Sequence, residues 1–360
     1  MDRTRLIFVG IVGVALVIVT AVFFLNGGVD GRTVAVTGLV GSEKVPFFED
    51  ERVLAALHRN GLDVSVQKAG SREIATSYDL SLYDFAFPAG IPAAKKIQRE
   101  QGISQAYNIF FTPMAIASWQ PIADLLVAQG VATDEGGYYL LDMDRFLDLV
   151  AQETRWEDLP GNITFPVGRS ILLTSTDVRT SNSAAMYLAL ASYVANGNNI
   201  VQSLADAQPL LLLMADIFLR QGLRPDSSQE PFEDYLVKGM GHSPIVMIYE
   251  AQFIAQAAKN DGSIQPGMVL MYPKPTIFTE HVLIPLNENG RLLGQILETD
   301  PELQKLAIEY GFRNDNLAYF RQFIQQHNIS LPDTLVDVVE PPSYEVLEGM
   351  IQVIEQKYQQ

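Results

Sequence analysis

The chain has 360 residues, a formal net charge of −17 and no cysteine. The lack of cysteine excludes disulfides, thiolate metal sites, cysteine nucleophiles and lipid attachment through a thiol. A chain this acidic is not suited to bind nucleic acid or to dock on a membrane through a polybasic segment, and we expect neither. With 48% hydrophobic residues, it is long enough to form two domains, each with its own core.

The first predicted element is an uncharged apolar run over residues 6–25, preceded by Arg3 and Arg5. As a helix it would be roughly 30 Å long, which matches the hydrocarbon core of a bilayer. We therefore predict a cytoplasmic N-terminus over residues 1–5, a single-pass transmembrane anchor over 6–25, a linker over 26–32 and an extracytoplasmic remainder. A cleaved signal peptide is the alternative, although no small-x-small cleavage site follows the run.

Strand and helix patterns alternate from residue 33 onward. Strands are predicted at residues 33–37, 64–67, 83–87, 107–116, 170–174, 244–249, 269–272 and 281–286. Helices are predicted at residues 47–57, 91–101, 146–156, 184–195, 208–221 and 250–259, with a largely helical tail from about 290. This succession predicts an α/β protein with parallel, doubly wound sheets.

Two extended, proline-containing crossings divide the alternating pattern into two sets. The outward crossing covers residues 107–120 and the return crossing covers 270–285. We therefore expect two lobes around a hinge, with lobe 1 formed by residues 33–113 and 277–360 and lobe 2 by residues 114–276.

Polar turns rich in Gly, Ser and Thr follow three of the predicted strands, at residues 38–44, 70–72 and 174–183. Ligands of open α/β sheets bind at the carboxyl ends of strands, where helix N-termini offer free N–H groups. Such turns in two lobes would suit an anion or a polyol. The same residue types are also ordinary helix caps, so both interpretations stay open.

A few larger side chains lie beside these turns. Lys44, Arg72 and Arg179 could neutralise an anion together, or each could be a solvated surface cation. Trp119 could stack on a sugar or planar ligand, or it could anchor a core.

Catalytic signatures are weak. Residues 241–245 begin like the G-x-S-x-G elbow of a hydrolase, but Ile245 replaces the final glycine. The four histidines are far apart in sequence and form no metal-binding pair. We expect no catalytic residue, no resident metal and no cofactor, so the chain is predicted not to be an enzyme.

Several short motifs occur in an order that resembles the bacterial extracellular solute-binding proteins of ABC importers. They lie at residues 41–44, 69–72, 111–117, 174–183, 249–251 and 272–277. The resemblance spans roughly residues 33–315. It implies a two-lobed type II periplasmic-binding fold with two hinge crossings, here preceded by a transmembrane helix. Residues 316–360 have no counterpart in the resemblance.

The resemblance also implies a small solute, an oxyanion or polar small molecule, bound between the lobes and presented to an ABC permease or a sensory membrane partner. The candidate ligand-binding residues are those that the resemblance implies together with Glu43 and Trp119. The full set is Ser42, Glu43, Lys44, Ser71, Arg72, Trp119, Thr174, Ser175, Ser181, Asn182, Ser183, Tyr249 and Glu250. Two other functions stay open: an adaptor or sensing module without transport, and an envelope hydrolase or lyase that uses the same cleft.

Overall fold

The computed structural model describes residues 33–222, 224–332, 335 and 337–358. The predicted N-terminus over 1–5, anchor over 6–25 and linker over 26–32 lie outside these residues. Within the described ranges, no helix is both long and apolar enough to cross a bilayer.

The described residues form ten strands and fifteen α-helices. The strands are β1 (Val34–Val40), β2 (Leu62–Lys68), β3 (Phe85–Phe87), β4 (Tyr107–Trp119), β5 (Ala132–Asp134), β6 (Tyr139–Asp142), β7 (Ile245–Tyr249), β8 (Met268–Lys274), β9 (Thr276–Pro285) and β10 (Val338–Val339). The helices are α1 (Val45–Glu49), α2 (Glu51–Arg59), α3 (Ser71–Thr76), α4 (Ile91–Gln101), α5 (Gln120–Ala128), α6 (Met143–Ala151), α7 (Asn182–Ala195), α8 (Leu204–Ala207), α9 (Leu211–Leu219), α10 (Gln229–Lys238), α11 (Glu250–Ala258), α12 (Glu288–Thr299), α13 (Pro301–Glu309), α14 (Leu317–Gln326) and α15 (Tyr344–Tyr358).

The strands join in the order β2-β1-β3-β9-β4-β8-β6-β5, with β7 paired to β4 and β10 paired to β9. The β1–β2 and β1–β3 pairs are parallel, as the alternating strand and helix pattern predicts. By contrast, β9 runs antiparallel to both β3 and β4. The sheet is therefore mixed, because the chain returns through β9 in the direction opposite to its neighbours.

The long strand β4 belongs to both halves of the molecule. Residues 107–113 pair with β9, whereas residues 114–118 pair with β7 on one side and residues 116–119 pair with β8 on the other. Since β8 and β9 follow one another directly, β4 and the β8–β9 pair are the two crossings predicted from sequence.

Local chemistry corrects several predicted elements. The single helix expected over residues 47–57 is two helices, because Asp50 is extended (φ −67°, ψ 125°) and its side chain accepts the Arg52 N–H at 2.7 Å as the cap of α2. The helix expected over 208–221 is the shorter helix α9, Leu211–Leu219, and α8 lies before the predicted range.

The strand expected over residues 170–174 makes only two isolated bridges, Ser170 with Arg155 and Thr174 with Val246. It is extended but does not form a continuous ladder.

The buried apolar residues form separate clusters on the two sides of the crossings. One cluster unites β1, β2 and β3 with α2, α12 and α13. Another unites the second half of β4 with α5, α6, α7 and α9. Two cores are what a two-lobed chain of this length requires.

The C-terminal helix α15 joins the two sides. Its apolar face, including Met350 and Ile354, lies in the cluster built from α7 and α9. Its polar face pairs Glu348 with Arg72 and Glu345 with Arg99, both in the first part of the chain. The sequence-based boundary places 277–360 in lobe 1, whereas this helix contributes its core residues to the other cluster.

A buried ion pair ties the tail to the crossing strands. The Arg313 guanidinium donates from Nε to Glu250 Oε2 and from Nη2 to Oε1, both at 2.7 Å, and the Tyr272 hydroxyl donates to Oε1 at 2.6 Å. The Glu250 side chain is fully buried and that of Arg313 is 7% exposed. Burial and the Glu250 charge raise the pKa of Tyr272, so its hydroxyl remains a donor.

We predict that Arg313→Met lowers the free energy of unfolding by about 3–5 kcal/mol, because it leaves the Glu250 carboxylate buried without its cation. The measurement is urea denaturation followed by circular dichroism. Arg52→Met is the matched control, since Arg52 is 56% exposed and its ion pairs should contribute about 1 kcal/mol or less. Equal losses in the two variants would contradict this ranking.

Candidate functional site

Turns from separate parts of the chain meet around one cavity of about 240 Å³. The turn after β1, the turn after β2, the start of α7, the segment before α10 and the end of β7 all contribute. The lining residues are Gly41, Ser42, Glu43, Lys68, Ala69, Gly70, Ser71, Glu73, Ser181, Asn182, Asp226, Ser227, Ser228, Glu230 and Tyr249. The cavity therefore lies at the carboxyl ends of β1, β2 and β7, where α/β sheets bind ligands.

The two sides of this cavity touch at three points. The Ser227 hydroxyl donates to Ser42 Oγ at 2.9 Å. A Cβ on Gly70 would lie 2.7 Å from the Thr180 carbonyl oxygen. At Gly90, where φ is +89°, a Cβ would lie 2.5 Å from Asn182 Oδ1. Glycine at positions 70 and 90 is what allows the turns to approach so closely.

The N-terminal turn of α7 presents polar groups to the cavity. Ser181 and Asn182 line it, and the Asn182 amide donates to the Tyr249 hydroxyl at 3.1 Å. Ser183 is buried behind them, with its hydroxyl 2.7 Å from Thr176 Oγ1 and 3.0 Å from Ser181 Oγ. These bonds hold the turn in place and leave first-turn N–H groups of α7 directed toward the cavity end of the helix.

Beneath the cavity lies a buried cluster of Glu43, Lys44 and His281. Lys44 forms an ion pair with Glu43 and donates to His281 Nδ1 at 2.9 Å. Its ammonium also lies 5.1 Å from the centre of the Phe87 ring. Since His281 belongs to β9, the cluster connects the turn after β1 to a crossing strand.

The cluster holds a definite set of charges. Burial and the positive charge of Lys44 lower the pKa of His281 to about 4, so its ring is neutral. Burial opposes ionisation of Glu43, but Lys44 and His281 together hold its pKa below the usual range. His281 Nδ1 lies 2.9 Å from Lys44 Nζ and 3.4 Å from Glu43 Oε1, and Nε2 is a buried atom without a hydrogen-bond partner in the described part of the chain.

The cavity itself is acidic. Its lining includes four carboxylates, from Glu43, Glu73, Asp226 and Glu230, and one ammonium group, from Lys68. Because Lys44 compensates Glu43, three of these carboxylates remain against one cation. Two of the carboxylates lie over the turns that were expected to hold an anion: Glu73 accepts the Gly70 N–H at 3.0 Å, and the Glu43 carboxylate lies against Gly41. The arrangement therefore suits a cationic or hydroxyl-bearing ligand better than an oxyanion.

Six of the thirteen sequence-predicted site residues line this cavity: Ser42, Glu43, Ser71, Ser181, Asn182 and Tyr249. The Ser71 hydroxyl accepts the Ala89 N–H at 2.8 Å, so it also fixes the neighbouring turn. Burial and the charge of Glu43 raise the pKa of Tyr249, which keeps its hydroxyl protonated as a donor.

The predicted cations lie elsewhere. Lys44 is wholly buried in the cluster below the cavity. Arg72 points away, toward Glu348 and the Arg179 carbonyl oxygen, with its Nε 2.8 Å from Glu348 Oε2. The Arg179 guanidinium pairs with Asp177.

The remaining predicted residues also lie outside the cavity. Trp119 donates from Nε1 to the Ser243 carbonyl oxygen at 3.0 Å in a separate groove. Thr174 lines a second cavity, and the Ser175 N–H donates to Gln221 Oε1 at 2.8 Å. Ser183 and Glu250 are buried in the hydrogen-bond networks described above.

The segment at residues 226–230, which supplies Asp226, Ser227, Ser228 and Glu230 to the cavity, is not among the residues predicted from sequence. Its sequence, Pro-Asp-Ser-Ser followed by the helix α10, has the composition of a helix N-terminus, and this signal could have located it. Within the described ranges, no group of three or more His, Asp or Glu side chains is arranged to hold a metal ion.

No protein-family model matches the chain, and no curated sequence matches it. Several solved structures do match the chain. The sulfate-binding protein SubI from Mycobacterium tuberculosis H37Rv is 15% identical, with a TM-score of 0.53, and the alignment covers 88% of this chain and 99% of that one. The apo ferric ion-binding protein A of Pasteurella haemolytica is 10% identical, with a TM-score of 0.54 and coverage of 89% and 97%. An ABC transporter structure from Clostridium perfringens ATCC 13124 is 11% identical, with a TM-score of 0.50 and coverage of 90% and 98%.

At sequence identities this low, the structural similarity establishes the fold alone. The chain has the two-lobed α/β architecture of the periplasmic solute-binding proteins, so the predicted type II periplasmic-binding fold is confirmed. The proteins named are binding and transport proteins rather than enzymes.

We predict that the free energy of unfolding falls by about 2 kcal/mol between pH 6.5 and pH 5, because the unfolded chain protonates His281 in this range while the folded chain, with a pKa of about 4 at this site, does not. His281→Gln should flatten this slope in urea titrations repeated across the range. His58→Gln, at an exposed position on α2, is the matched control and should keep the slope. A slope that survives His281→Gln would refute the assignment.

Proposed function

We propose that the chain is an extracytoplasmic solute-binding protein that captures a small polar solute in the cleft between its lobes and presents it to an ABC-type importer. The observation that carries the proposal is the meeting of turns from both halves of the molecule around one polar cavity. The predicted anchor at residues 6–25 would keep the protein beside its membrane partner.

The charge of the cleft narrows the class of solute. Carboxylates outnumber cations in its lining, and serine hydroxyls, Asn182 and Tyr249 add neutral polar groups. A compact amine or hydroxyl-bearing cation could pair with Asp226 and Glu230 and bond to the surrounding hydroxyls. The volume of about 240 Å³ favours such a molecule over an oligosaccharide.

Binding would favour the closed arrangement of the lobes, since only that arrangement lets both sides touch the solute. The contacts Ser42–Ser227 and Gly70–Thr180 are points at which the closed lobes would meet. The closed form would then be the one that docks on the importer.

The first test is a binding screen by thermal shift and calorimetry with polyamines, amino acids, sugars and oxyanions. We expect amines or hydroxyl-bearing cations to bind, and Asp226→Asn to weaken that binding about tenfold by removing one charged contact. Glu233→Gln, on an exposed residue of α10 that does not line the cleft, should leave the affinity unchanged. A screen in which only oxyanions bind would contradict the solute class, and one in which nothing binds would contradict solute capture.

The second test concerns closure. Gly70 has φ −65°, which alanine adopts without strain, so Gly70→Ala should fold normally while its methyl group presses on the Thr180 carbonyl oxygen. We expect weaker binding and a smaller ligand-induced decrease in the radius of gyration in small-angle scattering. Gly241→Ala is the matched control, because a Cβ there meets nothing within 4 Å. Normal compaction in Gly70→Ala would show that this contact does not limit closure.

A further inference from the structure

A second cavity, of about 810 Å³, lies in residues 169–243 and shares only Glu230 with the lining of the interlobe cleft. We call it the arginine groove. Arg169 enters it from the extended segment that precedes Thr174, Arg220 and Arg224 from the turn after α9, and Lys238 from the end of α10. In a chain with an excess of 17 negative charges, four cations around one cavity call for an explanation.

Two of the four cations have acidic partners. Arg220 Nη1 lies 3.2 Å from Asp216 Oδ2, and Lys238 Nζ lies 2.8 Å from Asp234 Oδ1. Their charges are therefore compensated within the protein.

The other two cations differ. In the part of the chain that the structure describes, neither Arg169 nor Arg224 forms an ion pair with a carboxylate. Arg169 donates from Nη1 to the His242 carbonyl oxygen at 3.0 Å. The Nε of Arg224 is buried and makes no hydrogen bond to any described residue. A buried guanidinium nitrogen without an acceptor is costly unless a ligand supplies one.

The electrostatics agree with the geometry. Burial lowers the pKa of Arg169. Burial also lowers the pKa of Arg224, and the charge of Arg169 adds to this lowering, whereas Tyr358 and Asp234 act in the opposite direction. The two guanidiniums therefore repel one another in a partly desolvated place. The uncompensated carboxylates in the lining, Glu230 and Glu233, are exposed on α10, where solvent screens them.

We propose that Arg169 and Arg224 bind an oxyanion, a phosphate, sulfate or carboxylate group, in the arginine groove. Guanidinium groups match such anions in shape and can donate two parallel hydrogen bonds to each. The groove is larger than one inorganic anion, so the group would belong to a larger polar molecule. The two proposed anion contacts, Arg169 and Arg224, are not part of the cleft lining.

Calorimetry on the full chain at low ionic strength tests the proposal, with inorganic phosphate, sulfate, citrate and a hexose phosphate as probes. We expect at least one probe to bind, the organic anions more tightly than the inorganic ones. Arg169→Gln and Arg224→Gln should each weaken that binding at least about tenfold, the effect of one lost charged hydrogen-bonding group. Arg145→Gln, which removes an exposed arginine paired with Asp142, should leave it unchanged.

Thermal melting supplies an independent readout. Removing an uncompensated charge should raise the melting temperature of the Arg224→Gln protein without ligand, while the anion that stabilises the wild type should no longer stabilise this variant.

If Arg224→Gln does not fold, Arg169→Gln remains decisive, because Arg169 is exposed. A wild type that binds none of the four anions, or an Arg169→Gln variant that binds as tightly as wild type, would overturn the proposal. Asp226→Asn separates the two sites, since it should affect the cleft alone.

Discussion

The architecture depends on the hydrogen-bond ladder of β4. Its first half is paired with β9 and its second half lies between β7 and β8, so one strand is a member of the sheets on both sides. A strand held this way must pass between the two cores. The turns that follow β1 and β2 are thereby brought opposite the turns that follow β7 and Thr174. The cleft is a consequence of this shared strand.

The cleft is organised by a separation of charge between its surface and its base. Lys44, which follows Glu43 directly in the chain, is turned inward to His281 and Phe87, while Glu43 remains at the cavity. The base of the cleft is thus a compensated cluster and its surface is acidic. Because Glu73 also occupies the N–H group of Gly70, both turns of the first half already have a carboxylate of their own. Because Lys44 compensates Glu43, the acidity of the surface comes from Glu73, Asp226 and Glu230, which repel an incoming anion and attract a cation.

Much of the fold could be predicted from sequence because its signals are local. The β-branched run at Val34–Val40, the helix ended by Gly102 and the two proline-containing crossings each follow from residue type and spacing. The single helix expected over 47–57 failed at Asp50, where a good cap residue ends one helix and begins another. Six of the predicted residues line one cavity, because serine- and glycine-rich turns after strands are a local pattern. Lys44, Arg72 and Glu250 were assigned to the ligand because a charged side chain in a turn does not reveal which way it points.

The sequence by itself determined that this is an α/β chain whose polar turns follow its strands, since hydrophobic periodicity and turn composition act over a few residues. Only the tertiary structure decided which of those turns face one another, where the cations lie and that residues 226–230 complete the cavity. Those outcomes depend on pairings between residues as distant as Lys44 and His281, or Arg72 and Glu348. Partners so far apart are chosen by packing and charge compensation across the whole molecule, and no local pattern records that choice.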